Sequence, residues 1–244
     1  MQIVPSLTAQ HALFLDFDGT LADIAAQPDA VQVLPEVAPT LRSLHQRLDG
    51  ALAIVSGRTA AAIDGLLAPL RLPLASEHGA WYRLGANSGA SAAVSEPDLA
   101  PVLAALRPLI AAHPALVLET KPSSLALHYR QAPQLEAWCH STLARLLPLA
   151  PGTELMRGRC VLELKPAWAS KGRAIGDFMR RAPFAGRVPI FVGDDVTDET
   201  GFATVQELGG LGVKVGPGPT LAQARLDGPA QVRAWLRQTV EEIV

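Results

Sequence analysis

The chain has 244 residues, enough for one large domain or two modest ones with an ample core. Hydrophobic residues make up 49% and charged residues 18%, and the formal net charge is −2. No basic field therefore marks a nucleic-acid or anionic-membrane partner, and small-molecule chemistry is favoured. Asp16 and Asp18 interrupt the N-terminal apolar run, so nothing reaches the ~18 residues needed to cross a bilayer, and Met1 to His11 lacks a basic leader. A cytoplasmic protein is expected. Cys139 and Cys160 show no metal-ligand spacing and are too few for a disulfide framework, so both are expected as buried free thiols.

In chain order, Ala12 to Asp16 reads as a buried strand ended by the turn at Gly19-Thr20. Asp16 and Asp18 then lie at the strand's carboxyl end, the edge where ligands bind in open α/β sheets. Period two lets both acids lean to one side and Phe17 to the other. Carboxylates that close repel unless a cation or proton sits between them; the same residues also suit an ordinary Asp-Gly turn. Val37, Leu41, Leu44 and Leu48 recur at helical spacing and form an amphipathic crossover. Ala51 to Ser56 is a second strand, and Ser56-Gly57-Arg58-Thr59 opens a helix reaching Leu70. Its N–H groups and hydroxyls can hold an anion, while Ser56 or Thr59 serves equally as a plain N-cap. Leu72 to Ser76 is a weaker strand.

From about residue 85 to 166 the pattern changes, with Gly85 to Pro97 reading as a linker. A helix, Asp98 to Ala112, precedes a hairpin of Leu116 to Lys121 with Leu125 to Arg130. A second helix, Gln134 to Leu147, precedes Glu154 to Met156 with Cys160 to Lys165. The hexapeptides Val117 to Pro122 and Val161 to Pro166 are nearly identical, which indicates an internal repeat: a four-stranded antiparallel sheet backed by two helices. Val117, Glu119 and Lys121 share one face, and Leu116, Leu118 and Thr120 the other, with the same split in the second copy. The charged face suits either solvent or a polyhydroxyl ligand.

Beyond it, Ser170 is a candidate N-cap for a helix running toward Met179. Lys171 in its first turn opposes the helix dipole, so an anionic partner is expected there, and Gly172 permits close backbone approach. Val188 to Asp194 and Leu211 to Gly216 are further core strands. After the first of these, Gly193-Asp194-Asp195-Val196-Thr197-Asp198-Glu199 crowds four acids into six residues. Asp194 and Asp198 would share a face if the chain turns helical there. Carboxylates from two strand ends make a hard-oxygen site of the kind Mg²⁺ takes, although a helix N-terminus also attracts acids. Val232, Trp235, Leu236, Val240 and Ile243 give a final amphipathic helix.

Taken together and in this order, Asp16-Phe17-Asp18-Gly19-Thr20, Ser56-Gly57-Arg58, Ser170-Lys171-Gly172 and Gly193 to Glu199 resemble the four motifs of the haloacid dehalogenase superfamily of phosphohydrolases. More narrowly, the last motif, Glu77-His78-Gly79-Ala80, Glu119-Thr120-Lys121, His128-Tyr129-Arg130 and Val161 to Pro166 resemble the trehalose-6-phosphate phosphatases. The resemblance implies an α/β fold. It comprises a Rossmann-like core from residues 1–84 and 167–244, and a smaller α+β cap at 85–166 that closes over the right sugar and excludes water.

It further implies that Asp16 is the nucleophile and Asp18 the acid and base. Mg²⁺ would be held by Asp16, the Asp18 carbonyl and Asp194, with Asp198 close by. Ser56, Gly57, Arg58 and Lys171 would bind phosphate. Glu119, Lys121, Arg130 and Glu163 would bind the sugar, with His78 and Gly79 near the hinge and Lys165 a further candidate. The implied substrate is a phosphorylated disaccharide, trehalose 6-phosphate, with functional coupling to a trehalose-phosphate synthase. Other capped phosphatases, acting on sucrose, mannosylglycerate or glucosylglycerol phosphate, share the core motifs. A phosphomutase would also use the paired acids, and a sugar-phosphate sensor would bind without turnover.

Overall fold

The structure, a computed structural model, describes residues 4–25, 30–85, 91–92, 96–158 and 160–243. The aliphatic runs build one large sheet and the repeat builds another. They belong to two compact units, Met1–Ser91 with Ser170–Val244, and Ala92–Ala169.

In the first unit, β1 (His11–Leu15), β2 (Leu52–Val55), β3 (Leu74–Ser76), β10 (Val188–Gly193), β11 (Leu211–Val215) and β12 (Ala224–Leu226) run parallel. They are ordered β12-β11-β10-β1-β2-β3, and β4 (Trp81–Arg83) and β5 (Ser91–Ala92) extend the β3 edge. β4 pairs antiparallel to β3. The anticipated linker from Gly85 to Pro97 is corrected here: Ser91–Ala92 is strand, while residues 86–90 and 93–95 lie outside the described residues. The unit boundaries at 91/92 and 169/170 accordingly fall later than 84/85 and 166/167.

Buried β1, β2 and β11 have no solvated face, so helices must cover both sides. On one side α5 (Lys171–Met179) brings Phe178 against Phe14, and α6 (Glu199–Glu207) brings Phe202 against Phe191. Such aromatic pairs add ~1 kcal/mol beyond area burial. The remaining helices of this unit are α1 (Val37–Arg47), α2 (Ala60–Leu67) and α7 (Pro229–Glu242), and α1 packs on α7. No helix among the described residues is long and apolar enough to cross a membrane.

The second unit realises the repeat. α3 (Ala100–Ala111) precedes β6 (Val117–Thr120) and β7 (Leu125–His128); α4 (Glu136–Leu146) precedes β8 (Thr153–Gly158) and β9 (Val161–Pro166). The two hairpins join through their inner strands in the order β6-β7-β9-β8, all antiparallel. Leu125, Leu127, Leu162 and Leu164 are buried with Leu106 of α3 and Leu143 of α4 in two apolar clusters. Cys139 is buried, but Cys160 is half-buried because it sits in the β8–β9 turn with φ 60°; both are free thiols.

In the first unit α5 and α6 approach each other closely at Gly172. A Cβ on Gly172 would lie 2.4 Å from the Thr200 carbonyl oxygen and 2.6 Å from the Thr204 hydroxyl. Backbone cannot yield there as a flexible side chain would, so Gly172→Ala should destabilise the fold by about 1–3 kcal/mol. Denaturant unfolding measures this, and a variant as stable as the parent would contradict the packing.

Candidate active site

β1 ends at Leu15, and the chain then folds back on itself: the Leu21 and Ala22 N–H groups donate to the Phe17 carbonyl, and Gly19 takes φ 78°. Gly19 also has to be glycine for space, since a Cβ there would reach 2.1 Å from Asp194 Oδ2. Because the strand has ended, Asp16 and Asp18 do not simply share its face. Asp16 is buried, and its N–H donates to the Val192 carbonyl of β10. Asp18 is partly exposed, and its carboxylate receives a two-pronged ion pair from Arg58, 2.6 Å from Nε and 2.8 Å from Nη2.

Lys171 supplies the centre. Ser170 caps α5 by accepting the Arg173 N–H, which fixes Lys171 as the first helical residue. Its buried ammonium lies 2.6 Å from Asp16 Oδ1 and 2.7 Å from Asp198 Oδ1, the anionic partners its position in the helix demands. Asp198 also accepts the Asp195 N–H, in a capping box that closes the turn after β10. Asp194 precedes that turn, which corrects the shared helical face foreseen for Asp194 and Asp198. Their carboxylates meet that of Asp16 by folding instead, with one oxygen from each within 4.8 Å of the others.

Three carboxylates around one ammonium leave an electrostatic imbalance. Burial pushes Asp16 well above the usual carboxylate range; Lys171 pulls it back, while Asp198 and Asp194 push it further. Burial and Asp198 raise Asp194 from 3.8 to about 7. Burial works against the charge on Lys171, yet Asp16 and Asp198 override it and raise its pKa. Asp194 makes no side-chain hydrogen bond among the described residues, so its oxygens remain available to a cation.

After β2, Thr59 caps α2 by accepting the Ala62 N–H, which leaves Ser56 for another role. Ser56 Oγ is buried and accepts the Arg58 N–H at 3.1 Å. His78 donates its N–H to the Ser56 carbonyl, and Glu77 donates to that of Arg58. A Cβ on Gly57 would strike the His78 imidazole at 2.5 Å, so the two motifs interlock through the glycine. At Gly79, φ 95°, a Cβ would lie 3.0 Å from both the Ala174 Cβ and the Ser170 carbonyl oxygen. Ser56, Gly57, Arg58, His78, Gly79, Asp16, Asp18, Lys171, Asp194 and Asp198 thus belong to one connected cluster at the carboxyl edge of the large sheet.

In the second unit, pairing places Glu119 opposite Ala126, and Ala126 opposite Glu163, on the face away from the leucines. Lys121 pairs with Glu163 at 2.9 Å, and Ser124 Oγ donates to the same carboxylate at 2.6 Å. Glu119 bonds His128 at 2.9 Å, which lowers its pKa although burial opposes this. Arg130 follows β7 in a turn. Lys165 donates to Glu154 and to the Pro166 and Ala169 carbonyls, which anchors the end of β9. His128 falls inside the His128-Tyr129-Arg130 motif but is not among the residues the resemblance assigns to the sugar. Period two from Glu119, carried across the hairpin, would have placed it on the charged face. The Arg58–Asp18 pair joins motifs 40 positions apart and left no local signal.

A family model described as trehalose-phosphatase matches residues 14–230. The chain is 45% identical over 234 residues to the trehalose-6-phosphate phosphatase of Escherichia coli (strain K12), covering 95% of this chain and 87% of that protein. It is 41% identical over 207 residues to a probable trehalose-phosphate phosphatase of Sinorhizobium fredii, covering 84% and 78%. Among solved structures, the C-terminal domain of C. albicans trehalose-6-phosphate phosphatase superposes with a TM-score of 0.82 at 22% identity, over 97% of this chain and 93% of that one. A haloacid dehalogenase-like hydrolase from Bacteroides thetaiotaomicron gives 0.65 at 15%, over 93% and 98%; at these identities the likeness is one of fold. The chain belongs to the trehalose-phosphatase family and is a phosphatase.

Proposed function

We propose that this enzyme hydrolyses trehalose 6-phosphate to trehalose and phosphate through a phosphorylated Asp16, with Mg²⁺ at the acidic cluster. The observation that carries the reading is the buried Asp16–Lys171–Asp198 contact beside an Asp194 carboxylate without a hydrogen bond among the described residues, in a chain of this family.

Lys171 occupies Asp16 Oδ1 and orients the carboxylate; Oδ2, which accepts only a long 3.4 Å hydrogen bond from the Thr20 hydroxyl, is the oxygen that attacks phosphorus. The phosphorus–sugar-oxygen bond breaks as the new bond forms, and Asp18, released from the Arg58 pair and protonated from solvent before the step, gives that proton to the departing sugar oxygen. Asp18 then takes a proton from water as its oxygen attacks phosphorus, which releases phosphate and restores Asp16. Arg58 holds both Asp18 oxygens, so this pair must open for the proton to move. Ser56, the Gly57-Arg58 segment and Lys171 bind and align the phosphoryl group, so that positioning and charge stabilisation lower the barrier.

The donor set fits a hard divalent cation: among the described residues it has three carboxylates, one of them without a side-chain hydrogen bond, and a single ammonium between two of them. When bound by Asp16, the Asp18 carbonyl and Asp194, with Asp198 alongside, Mg²⁺ would screen the anionic nucleophile from the anionic substrate. The sugar is uncharged, and the Glu119, Lys121, Arg130 and Glu163 face of the second unit, the cap in this reading, recognises its hydroxyls. A cytoplasmic location and functional coupling to a trehalose-phosphate synthase, which supplies the substrate, belong to the same reading.

Phosphate release from a panel of sugar phosphates tests the substrate. Trehalose 6-phosphate should be turned over far faster than glucose 6-phosphate or sucrose phosphate, and equal rates would refute the specificity. Glu163→Gln should cut kcat/KM for trehalose 6-phosphate about 10- to 100-fold, the value of a hydrogen bond to a charged group, while sparing a small aryl phosphate. Equal losses on both substrates would remove Glu163 from sugar recognition.

Metal-free protein should also show a defined pH dependence. Asp194 binds its proton more tightly folded than unfolded, so its stabilising contribution is complete below pH 3.8 and disappears as pH rises through about 7. In chelator, the melting temperature of the wild type relative to Asp194→Asn should fall across that window. Added Mg²⁺ should recover more stability at pH 8 than at pH 5. A pH-independent difference between the two proteins would contradict this assignment.

A further inference from the structure

Lys214 is a buried cation that the reaction above does not use. It lies on β11 between Val213 and Val215, paired in register with Gly193 of β10, and is 6% exposed. An interior strand position of this kind ordinarily takes an apolar residue, because a buried ammonium forfeits its hydration. Here the ammonium donates to two main-chain oxygens, those of Asp194 at 2.5 Å and Val215 at 2.7 Å. It makes no ion pair with a carboxylate among the described residues. Its charge therefore fixes backbone at the acid of the cluster whose side chain has no hydrogen-bond partner among the described residues.

The other side of Asp194 is fixed by an absence of side chain. Gly19 leaves the space that Oδ2 fills, and any Cβ would intrude to 2.1 Å. Between the Lys214 ammonium behind the main chain and the Gly19 notch beside the carboxylate, residue 194 has little freedom. Its oxygens stay within 4.8 Å of those of Asp16 and Asp198.

We propose that Lys214 is a positioning residue for the cation site: it locks the main chain at Asp194 so that this carboxylate faces Asp16 ready to bind a divalent ion. The inference rests on the reading that Asp194 holds Mg²⁺. Groups one step removed from a metal typically change its affinity 10- to 100-fold when lost.

Calorimetric titration of Mg²⁺ into chelator-treated protein, without substrate, is the test. Lys214→Met and Lys214→Gln should weaken Mg²⁺ binding about 10- to 100-fold. Lys214→Arg, which keeps charge and donors, should lose less than either. Activity at saturating Mg²⁺ should be affected far less than the Mg²⁺ concentration needed for half-activity. If Lys214→Met does not fold, the Gln and Arg variants carry the comparison. Wild-type Mg²⁺ affinity in folded Lys214→Gln, with only a lower melting temperature, would overturn the inference while leaving the metal reading intact. Identical Mg²⁺ binding by wild type and Asp194→Asn would overturn both.

Discussion

The buried contact of the Lys171 ammonium with Asp16 and Asp198 joins three segments that sequence separates by 155 and 27 positions. Burying such charges costs several kcal/mol per ion after relaxation, and the cost is met only when every charge finds good partners. That condition constrains its surroundings. The first strand must end at Leu15, α5 must begin at Lys171 under its Ser170 cap, and the turn after β10 must close in its capping box so that Asp198 points inward. The close approach of α5 to α6 at Gly172 is the packing that holds the last two segments together.

Within that frame two acids only one residue apart acquire different surroundings. Asp16 is sealed among charges and its pKa rises; Asp18 faces a guanidinium at a partly open position. The same chain bend that separates them needs Gly19, whose missing side chain admits Asp194. Backbone geometry, carboxylate crowding and the demand for a cation are thus one feature seen from three sides. In the second unit the problem is solved differently: His128 of β7 pairs with Glu119 of the neighbouring β6, and Lys121, just past β6, reaches Glu163 of β9 across the intervening β7, while the leucines on the other face make the core.

Much of this was legible in the residues because it depends on period and caps. The aliphatic runs at residues 12–16, 51–56, 188–194 and 211–216 became parallel strands, and the duplicated hexapeptide marked the two hairpins. Ser170 capped the helix that Lys171 begins, as its side chain allowed. What escaped was short or tertiary. Ala224–Leu226 and Trp81–Arg83 are three residues each and carry a charge, too little for a strand pattern to emerge. Asp194 and Asp198 have helical spacing, but Asp194 lies before the turn and meets Asp16 and Asp198 through the chain's folding. The grip of Lys214 on the Asp194 carbonyl requires β10 and β11 to be neighbours, which only the folded sheet specifies.

Asp16 as the nucleophile that accepts the phosphoryl group can be detected in the enzyme itself. Acid quenching during steady turnover of trehalose 6-phosphate with Mg²⁺, followed by peptide mass spectrometry, should find a phosphoryl group on Asp16 in wild type and none in Asp16→Asn. A phosphoryl group on another residue, or full turnover by the Asn variant, would contradict the account.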